Sequence, residues 1–236
     1  EGFQRGNQKV LEELGKNVAI VWGARTTTQA GGARAGRRIF LTMDDARAIQ
    51  REAGLVAVVS AEINRPGVQV KSAYNAAALM VDGIEPQYQA IRTIDIGAGR
   101  GFTFADEEGA RRVALIGTDV VSQLFGSRDP LGETLQLNGA PYTVIGVLRK
   151  KDQDSSYNGR DNEKVFVPFP AMARDFPRTD APAGALSQII VAPHQAVVDA
   201  LPSVLSRRTG RIEDIDWPLA RDVREVLARR HGFDPS

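Results

Sequence analysis

Asn138-Gly139 stands between two runs of β-formers, Thr134–Leu137 and Tyr142–Leu148, and no other feature limits the fold so strongly. An Asn-Gly pair accepts positive φ at both central positions of a type I′ turn, whose twist matches two antiparallel strands. A β-hairpin is therefore expected near the middle of the chain. Just upstream, Asp129-Pro130-Leu131-Gly132 carries turn chemistry. Pro130 fixes φ, Gly132 accepts positive φ, and the Asp129 side chain can accept from the following backbone.

Two helix starts are written in the same way. Thr42-Met43-Asp44-Asp45 and Thr103-Phe104-Ala105-Asp106 each place an acid three residues after a threonine, the spacing of a capping box. The first predicts a helix through Ala46 and Ile49 to Ala53, with Gly54 as a left-handed exit. Thr118 is read as the cap of a short helix through Leu124 and Phe125, closed by Gly126. Pro218 suits a first helical position, and Leu219, Val223, Val226 and Leu227 follow at helical spacing until Gly232. Further helical patterns cover Gly2–Leu14 and Ala196–Arg207, the latter interrupted by Pro202.

Strands are expected at Val18–Trp22, Leu55–Ser60, Gln69–Tyr74, Ala77–Val81, Arg112–Ile116, Val165–Pro168 and Leu186–Ala192. Thr26–Arg38 is a Gly-rich loop, Arg149–Lys164 a charged exposed loop, and Pro177–Ala185 a linker. Short helices alternating with paired strands indicate an α+β fold. The pattern changes character near Tyr88 and again at the linker, which suggests two lobes.

Composition removes most chemistries. The 236 residues carry a formal charge of +1, against the basic excess of a protein that coats nucleic acid, so no nucleic-acid partner is expected. There is no cysteine, hence no disulfide, thiolate metal site or cysteine nucleophile. The two histidines, His194 and His231, are too far apart for a helix-spaced zinc pair. No apolar run reaches the ~18 residues of a membrane span. The chain opens on Glu1 rather than methionine, as a piece of a longer protein would.

Each candidate motif has a plainer reading. Gly97-Ala98-Gly99-Arg100-Gly101 lacks the following helix of a dinucleotide site and reads as a tight turn. Asp152, Asp154, Ser156 and Glu163 match calcium-loop positions, but Tyr157 stands where the loop needs glycine, so Asp152–Glu163 reads as solvated. Asp44/Asp45 and Asp106/Glu107/Glu108 fall in first helical turns, where the dipole favours negative charge. The basic pairs Arg111-Arg112 and Arg229-Arg230, and Arg149-Lys150-Lys151, read as solvated faces. No catalytic residue, cofactor or metal site is expected.

The order of motifs in the centre is more specific than any one of them. Gly99-Arg-Gly101-Phe102, Asp106-Glu107-Glu108, Val113–Gly117, Leu124-Phe125-Gly126, Asp129-Pro130-Leu131-Gly132 and Tyr142–Leu148 with Gly146 follow one another. This arrangement resembles the periplasmic core domain of MacB-like ABC-transporter permeases. The resemblance implies a domain on the periplasmic side of the bacterial inner membrane, between the first and second spans of a permease. It implies a porter-like mixed α/β lobe from residues 1–88 and 185–236, with a β-rich central lobe inserted at 89–184. It further implies partners: membrane spans of the same parent chain, a separate or fused cytoplasmic ATPase module, a periplasmic adaptor protein, and a homodimer or paired permease. The expected function is to couple ATP hydrolysis to conformational change outside the membrane during export or efflux. The alternative is a ligand- or peptide-sensing or lipoprotein-handling domain of a related permease. Among the motif residues, Gly99, Gly101, Asp106, Leu124, Phe125, Gly126, Asp129, Pro130, Leu131, Gly132 and Gly146 are expected to be structural.

Overall fold

The computed structural model describes residues 18–23, 38–151, 158–177, 180–200 and 218–233. Its strands are β1 (Ala19–Trp22), β2 (Val56–Lys71), β3 (Ala76–Ile84), β4 (Ile96–Gly99), β5 (Val113–Ile116), β6 (Thr134–Leu137), β7 (Ala140–Leu148), β8 (Lys164–Pro168) and β9 (Gln188–Pro193). Its helices are α1 (Met43–Glu52), α2 (Tyr88–Ile91), α3 (Phe104–Glu108), α4 (Thr118–Leu124), α5 (Phe169–Asp175), α6 (Gln195–Asp199) and α7 (Pro218–His231). The expected Gly2–Leu14 helix, nearly all of the Thr26–Arg38 loop and the Pro202 end of the Ala196–Arg207 helix lie outside the described residues.

The chain forms two compact units, residues 1–61 with 184–236 and residues 62–183. In the first unit β9 lies between β1 and the start of β2, and β1 pairs antiparallel with β9 from Ala19↔Val191 to Trp22↔Gln188. Ile189, Ile190, Val191 and Ala192 are all fully buried, the continuous apolar run of a strand covered on both faces. Helix α1 buries Ala46, Ala48 and Ile49, and α7 buries Leu219, Val223, Val226 and Leu227. Ala46 and Ile49 in α1, and Leu219, Val223, Val226 and Leu227 in α7, follow the three- and four-residue spacing of one helical face.

The second unit closes on itself. Its strands follow one another as β2, β3, β8, β5 and β7, and β6 pairs with both β7 and β2. Six strands therefore form a ring with mixed pairing: β3–β8 and β5–β7 are parallel, the other contacts antiparallel. Closure pairs strand edges that would otherwise be open to other chains. The closing seam is short, Val70↔Leu137 and Lys71↔Gln136. The hairpin turn extends it, because Asn138 donates its N–H to Gln69 O at 2.9 Å and its side chain accepts from Gln69 N at 3.0 Å. Asn138 and Gly139 both have positive φ, +47° and +88°, as the type I′ turn demands.

Several local expectations change in the folded chain. Strand β2 is one 16-residue element where two shorter strands were expected. It passes Pro66-Gly67 by a bulge, with a register shift between Arg65 and Val68 and Gly67 at φ +72°. A bulge absorbs the residue that cannot donate to the ladder. The same strand carries the chain from the first unit to the second at Ala61/Glu62. The ladder of β2 to β3, which begins at Glu62↔Ile84, commits the rest of β2 to the second unit. Helix α1 leaves through an extended Ala53 (φ −82°, ψ 109°), not a left-handed Gly54. Gly117, not Thr118, is the N-cap of α4, and no side chain caps that helix.

Candidate functional site

The motif residues lie in the second unit at three separate places. At the first, Gly99 pairs with Gly146 across β4 and β7. A Cβ on Gly146 would lie 2.5 Å from Arg100 O, and one on Gly99 would strike Ile145 O, so only glycine permits this backbone approach. Gly101 follows beneath Gln89, whose side chain accepts from Phe102 N at 2.9 Å. At the second place Leu124 and Phe125 are fully buried at the end of α4. Gly126 then turns left-handed, at φ +64°. Phe125 meets Tyr74 edge-on, with ring centroids 6.3 Å apart. The third place is the turn into β6. There Asp129 Oδ1 accepts from Leu131 N at 3.0 Å, Pro130 is buried, and Gly132 has φ +80° and donates to Val144 O at 2.8 Å.

Asp106 organises the first of these places. Its carboxylate is fully buried and completes a reciprocal capping box with Thr103. Arg100 grips both oxygens, at 2.6 and 3.1 Å, and Arg111 reaches Oδ1 at 3.3 Å. The Arg100 hydrogen bonds hold the Asp106 carboxyl well below the usual carboxylate range, against the opposing effect of burial. A second buried carboxylate, Asp175 at the end of α5, accepts from Arg174, Arg112 and Tyr142 Oη. Those bonds, led by Arg174 and then Arg112, lower its pKa too. Arg112 is therefore engaged in an ion pair, where the sequence reading made Arg111-Arg112 a solvated face.

The largest departure is the end of the Arg149–Lys164 stretch, read from sequence as exposed. Asp161, Asn162 and Lys164 are 2%, 6% and 1% exposed. Lys164 Nζ sits 2.9 Å from Asp82 Oδ2 and also contacts Asn158 Oδ1. Asn64 Nδ2 bridges Glu62 and Asp82 at 2.8 and 2.7 Å, while Asn158 Nδ2 does the same at 3.2 and 3.1 Å. Buried charges require such partners, and the partners come from β2, β3 and the segment before β8. One signal was present in the sequence: Glu62 and Asp82 interrupt apolar β-strand runs, where an acid facing inward needs a cation. Its position gave no indication that Lys164 would supply one.

Lys151 closes the base of the same segment. Its backbone N–H donates to Asn162 Oδ1 at 3.1 Å, and Asn162 Nδ2 returns a bond to Lys151 O at 2.8 Å. A groove of about 80 Å³ adjoins it, lined by Thr93, Ile94, Asp95, Leu148, Arg149 and Lys151 among others. Sites for drug-sized ligands are usually ~300–1,000 Å³. Of the calcium-loop residues, Asp152, Asp154 and Ser156 lie outside the described residues, and Glu163 is half-exposed, 4.0 Å from Arg160. Among the described residues no three His, Cys, Asp or Glu side chains group as a metal site. No helix among them is long and apolar enough to cross a membrane.

The acids of the first unit are arranged differently. Asp45 caps α1, and it also accepts from Arg230 Nε at 2.8 Å and faces His231 Nε2 at 3.0 Å. Burial raises its pKa, but the Arg230 bond, the Thr42 backbone bond and the His231 charge outweigh this and leave it lowered. Arg229 pairs with Glu52 at 3.3 Å, so Arg229-Arg230 is likewise no mere solvated face. His194 is exposed and begins α6.

This architecture has solved counterparts. The periplasmic region of MacB from Actinobacillus actinomycetemcomitans superposes with a TM-score of 0.66 at 18% identity, covering 94% of this chain and 88% of that one. The extracellular domain of the noncanonic ABC-type transporter YknZ from Gram-positive bacteria gives 0.65 at 18% identity, covering 92% and 97%. The fold is thus that of the extracytoplasmic region of a transporter permease. The sequence carries the assignment further, since residues 1–203 match the model of the MacB-like periplasmic core domain. The chain belongs to that family, and it is an extracytoplasmic domain of the MacB-like permease type. Among curated relatives, the macrolide export ATP-binding/permease protein MacB of Bdellovibrio bacteriovorus is 28% identical over 88% of this chain. The pyoverdine export ATP-binding/permease protein PvdT of Pseudomonas entomophila is 26% identical over 99% of it. The chain spans 32% of the length of each.

Proposed function

We propose that this domain carries movement rather than chemistry: it couples ATP hydrolysis in a cytoplasmic module to conformational change outside the membrane during export. Family membership carries the reading, and the fate of the polar side chains supports it. The buried acids Asp106, Asp175, Asp82 and Asp45 are each bound to arginine or lysine and to backbone or side-chain donors. Groups committed in this way fix structure and are poorly placed to abstract or deliver protons. The eleven motif residues act in this reading as scaffold: close backbone approach at Gly99 and Gly146, turns at Gly126 and Gly132, and a buried anchor at Asp106. A paired permease and a periplasmic adaptor complete the proposed assembly, on the pattern of the export proteins it resembles. The sensing alternative draws no support from a groove of about 80 Å³.

These 236 residues hold no cysteine, so a label placed here has no competing thiol within the domain. Spin labels at Glu108→Cys in the intact transporter report the distance between paired domains, with and without ATP. A nucleotide-dependent change is expected. A constant distance while ATP is being hydrolysed would overturn the coupling reading.

A further inference from the structure

The two oxygens of Asp45 do separate work. Oδ2 faces its own helix start, accepting from Thr42 N at 2.9 Å and Thr42 Oγ1 at 3.0 Å. Oδ1 faces α7, with Arg230 Nε at 2.8 Å and His231 Nε2 at 3.0 Å. The carboxylate thus lies where the N-terminus of α1 meets the C-terminus of α7. An anion suits the first helix end and cations the second. Arg229 adds an exposed pair to Glu52 in the same last turn. Nearer the other end of α7, Asp222 Oδ2 accepts from Leu55 N at 2.8 Å.

We infer that Asp45 is a positioning residue that latches α7 onto α1, and that the latch can open without unfolding α1. If Arg230 and His231 withdraw, Oδ2 keeps both Thr42 donors, so the capping box survives and the carboxylate retains partners. Undocking then leaves no stranded buried charge on α1, the usual reason such contacts are costly to break. The withdrawn groups are already part-exposed, with side chains 34% and 21% accessible, and water can take over their donors. Under the coupling reading, on which its purpose rests, this joint lets α7 change its seat while the rest of the first unit holds its shape.

Hydrogen exchange of the 236-residue chain tests the latch without nucleotide or membrane. In the double variant Arg230→Gln, His231→Gln, the amides of residues 221–231 are expected to exchange at least about tenfold faster. Those of residues 46–52 should keep their wild-type rates. Thr42→Ala should reverse the pattern, loosening α1 first. Unchanged exchange in α7 would overturn the latch, since the remaining contacts of the helix would then hold it without Arg230 and His231. Equal loss in both helices would overturn it too, because α1 and α7 would then open only together. Should the double variant fail to fold, α7 is integral rather than releasable and the latch is again overturned. Arg230→Lys keeps a cation beside Asp45 and should show a smaller acceleration than Arg230→Gln; equal acceleration would discount the charge. Failure here leaves the coupling reading to the label-distance measurement.

Discussion

Thr42–Asp45 and Thr103–Asp106 are the same four-residue device placed in different units, and they differ in where the aspartate finds its other partners. Both are complete capping boxes around a buried carboxylate. Asp106 takes Arg100 and Arg111 from within its own neighbourhood of chain, and Arg100 shares Oδ2 with the cap. Asp45 takes Arg230 and His231 from the far end of the sequence, on the oxygen the cap leaves open. One box fastens a loop to itself; the other fastens two distant helices together. A capping motif therefore states that an anion is present, and tertiary structure decides what the anion holds.

The aspartates themselves give the largest effect. Asp106→Ala removes a cap and strips two guanidinium groups of their buried partner. We expect a loss of about 3 kcal/mol, the lower part of the range for breaking a buried pair because both arginines are half-exposed. Asp45→Ala should cost about 2 kcal/mol. Urea unfolding measures both losses, and hydrogen exchange shows their reach. Asp106→Ala should loosen residues 100–111 only, whereas Asp45→Ala should loosen α1 and α7. If Asp106→Ala also frees α7, the contrast between local and remote anchoring breaks.

Acid separates the pair next. Both carboxyls have folded pKa values below the ordinary aspartate value of 3.8, so each contributes stability that is present above that pH. The contribution is lost as pH falls through the folded value. The wild-type advantage over either alanine variant should therefore be full at pH 6 and shrink steadily below pH 4. Asp106, held by a bidentate arginine, should retain its advantage to lower pH than Asp45. Urea midpoints at pH 6, 4 and 3 provide the comparison, and a reversed order would contradict the hydrogen-bond geometry.

The threonines probe the cap alone. Thr42→Ala and Thr103→Ala each remove one hydroxyl and should cost about 1 kcal/mol. Because Arg100 shares Oδ2 with the Thr103 cap, coupling between Thr103 and Arg100 in a double-mutant cycle should exceed that between Thr42 and Arg230. Equal couplings would erase the distinction between shared and divided oxygens.

What could be read from the sequence follows the same division. The Asn138-Gly139 hairpin, both capping boxes and the Asp129–Gly132 turn depend on a few adjacent residues, and each forms as expected. The partner of a buried acid depends on residues far away in the chain. The charged run Arg149–Lys164 therefore reads as an exposed loop, and nothing local to Asp45 points to the bonds from Arg230 and His231. Read from sequence, one strand stops at Ser60 and the next starts at Gln69; between them Pro66-Gly67 opposes a strand locally, while the ladders on its flanks, with a bulge, carry β2 through. Asn138 illustrates both sides. Its turn conformation is local and legible, but its seam to Gln69 appears only once the ring has closed.

Glu107 offers the smallest effect and the sharpest contrast, since it neighbours Asp106 on the same short helix and shifts the opposite way. Partial burial, followed by the charges of Glu85 and Glu108, raises its pKa from 4.5 to about 7. It lacks the arginine that offsets the same burial cost at Asp106. A folded pKa above the unfolded value means that the native state binds this proton more tightly. The associated stability is complete below pH 4.5 and is lost as pH rises through 7. Glu107→Gln, which stays neutral, should therefore raise stability at pH 8, by about 1 kcal/mol or less after solvent screening. At pH 4 it should change little. Urea unfolding of the variant and wild type at the two pH values decides the matter. Equal stabilities at pH 8 would mean that solvent already relieves Glu107, and that an arginine partner is not what separates the two neighbouring acids.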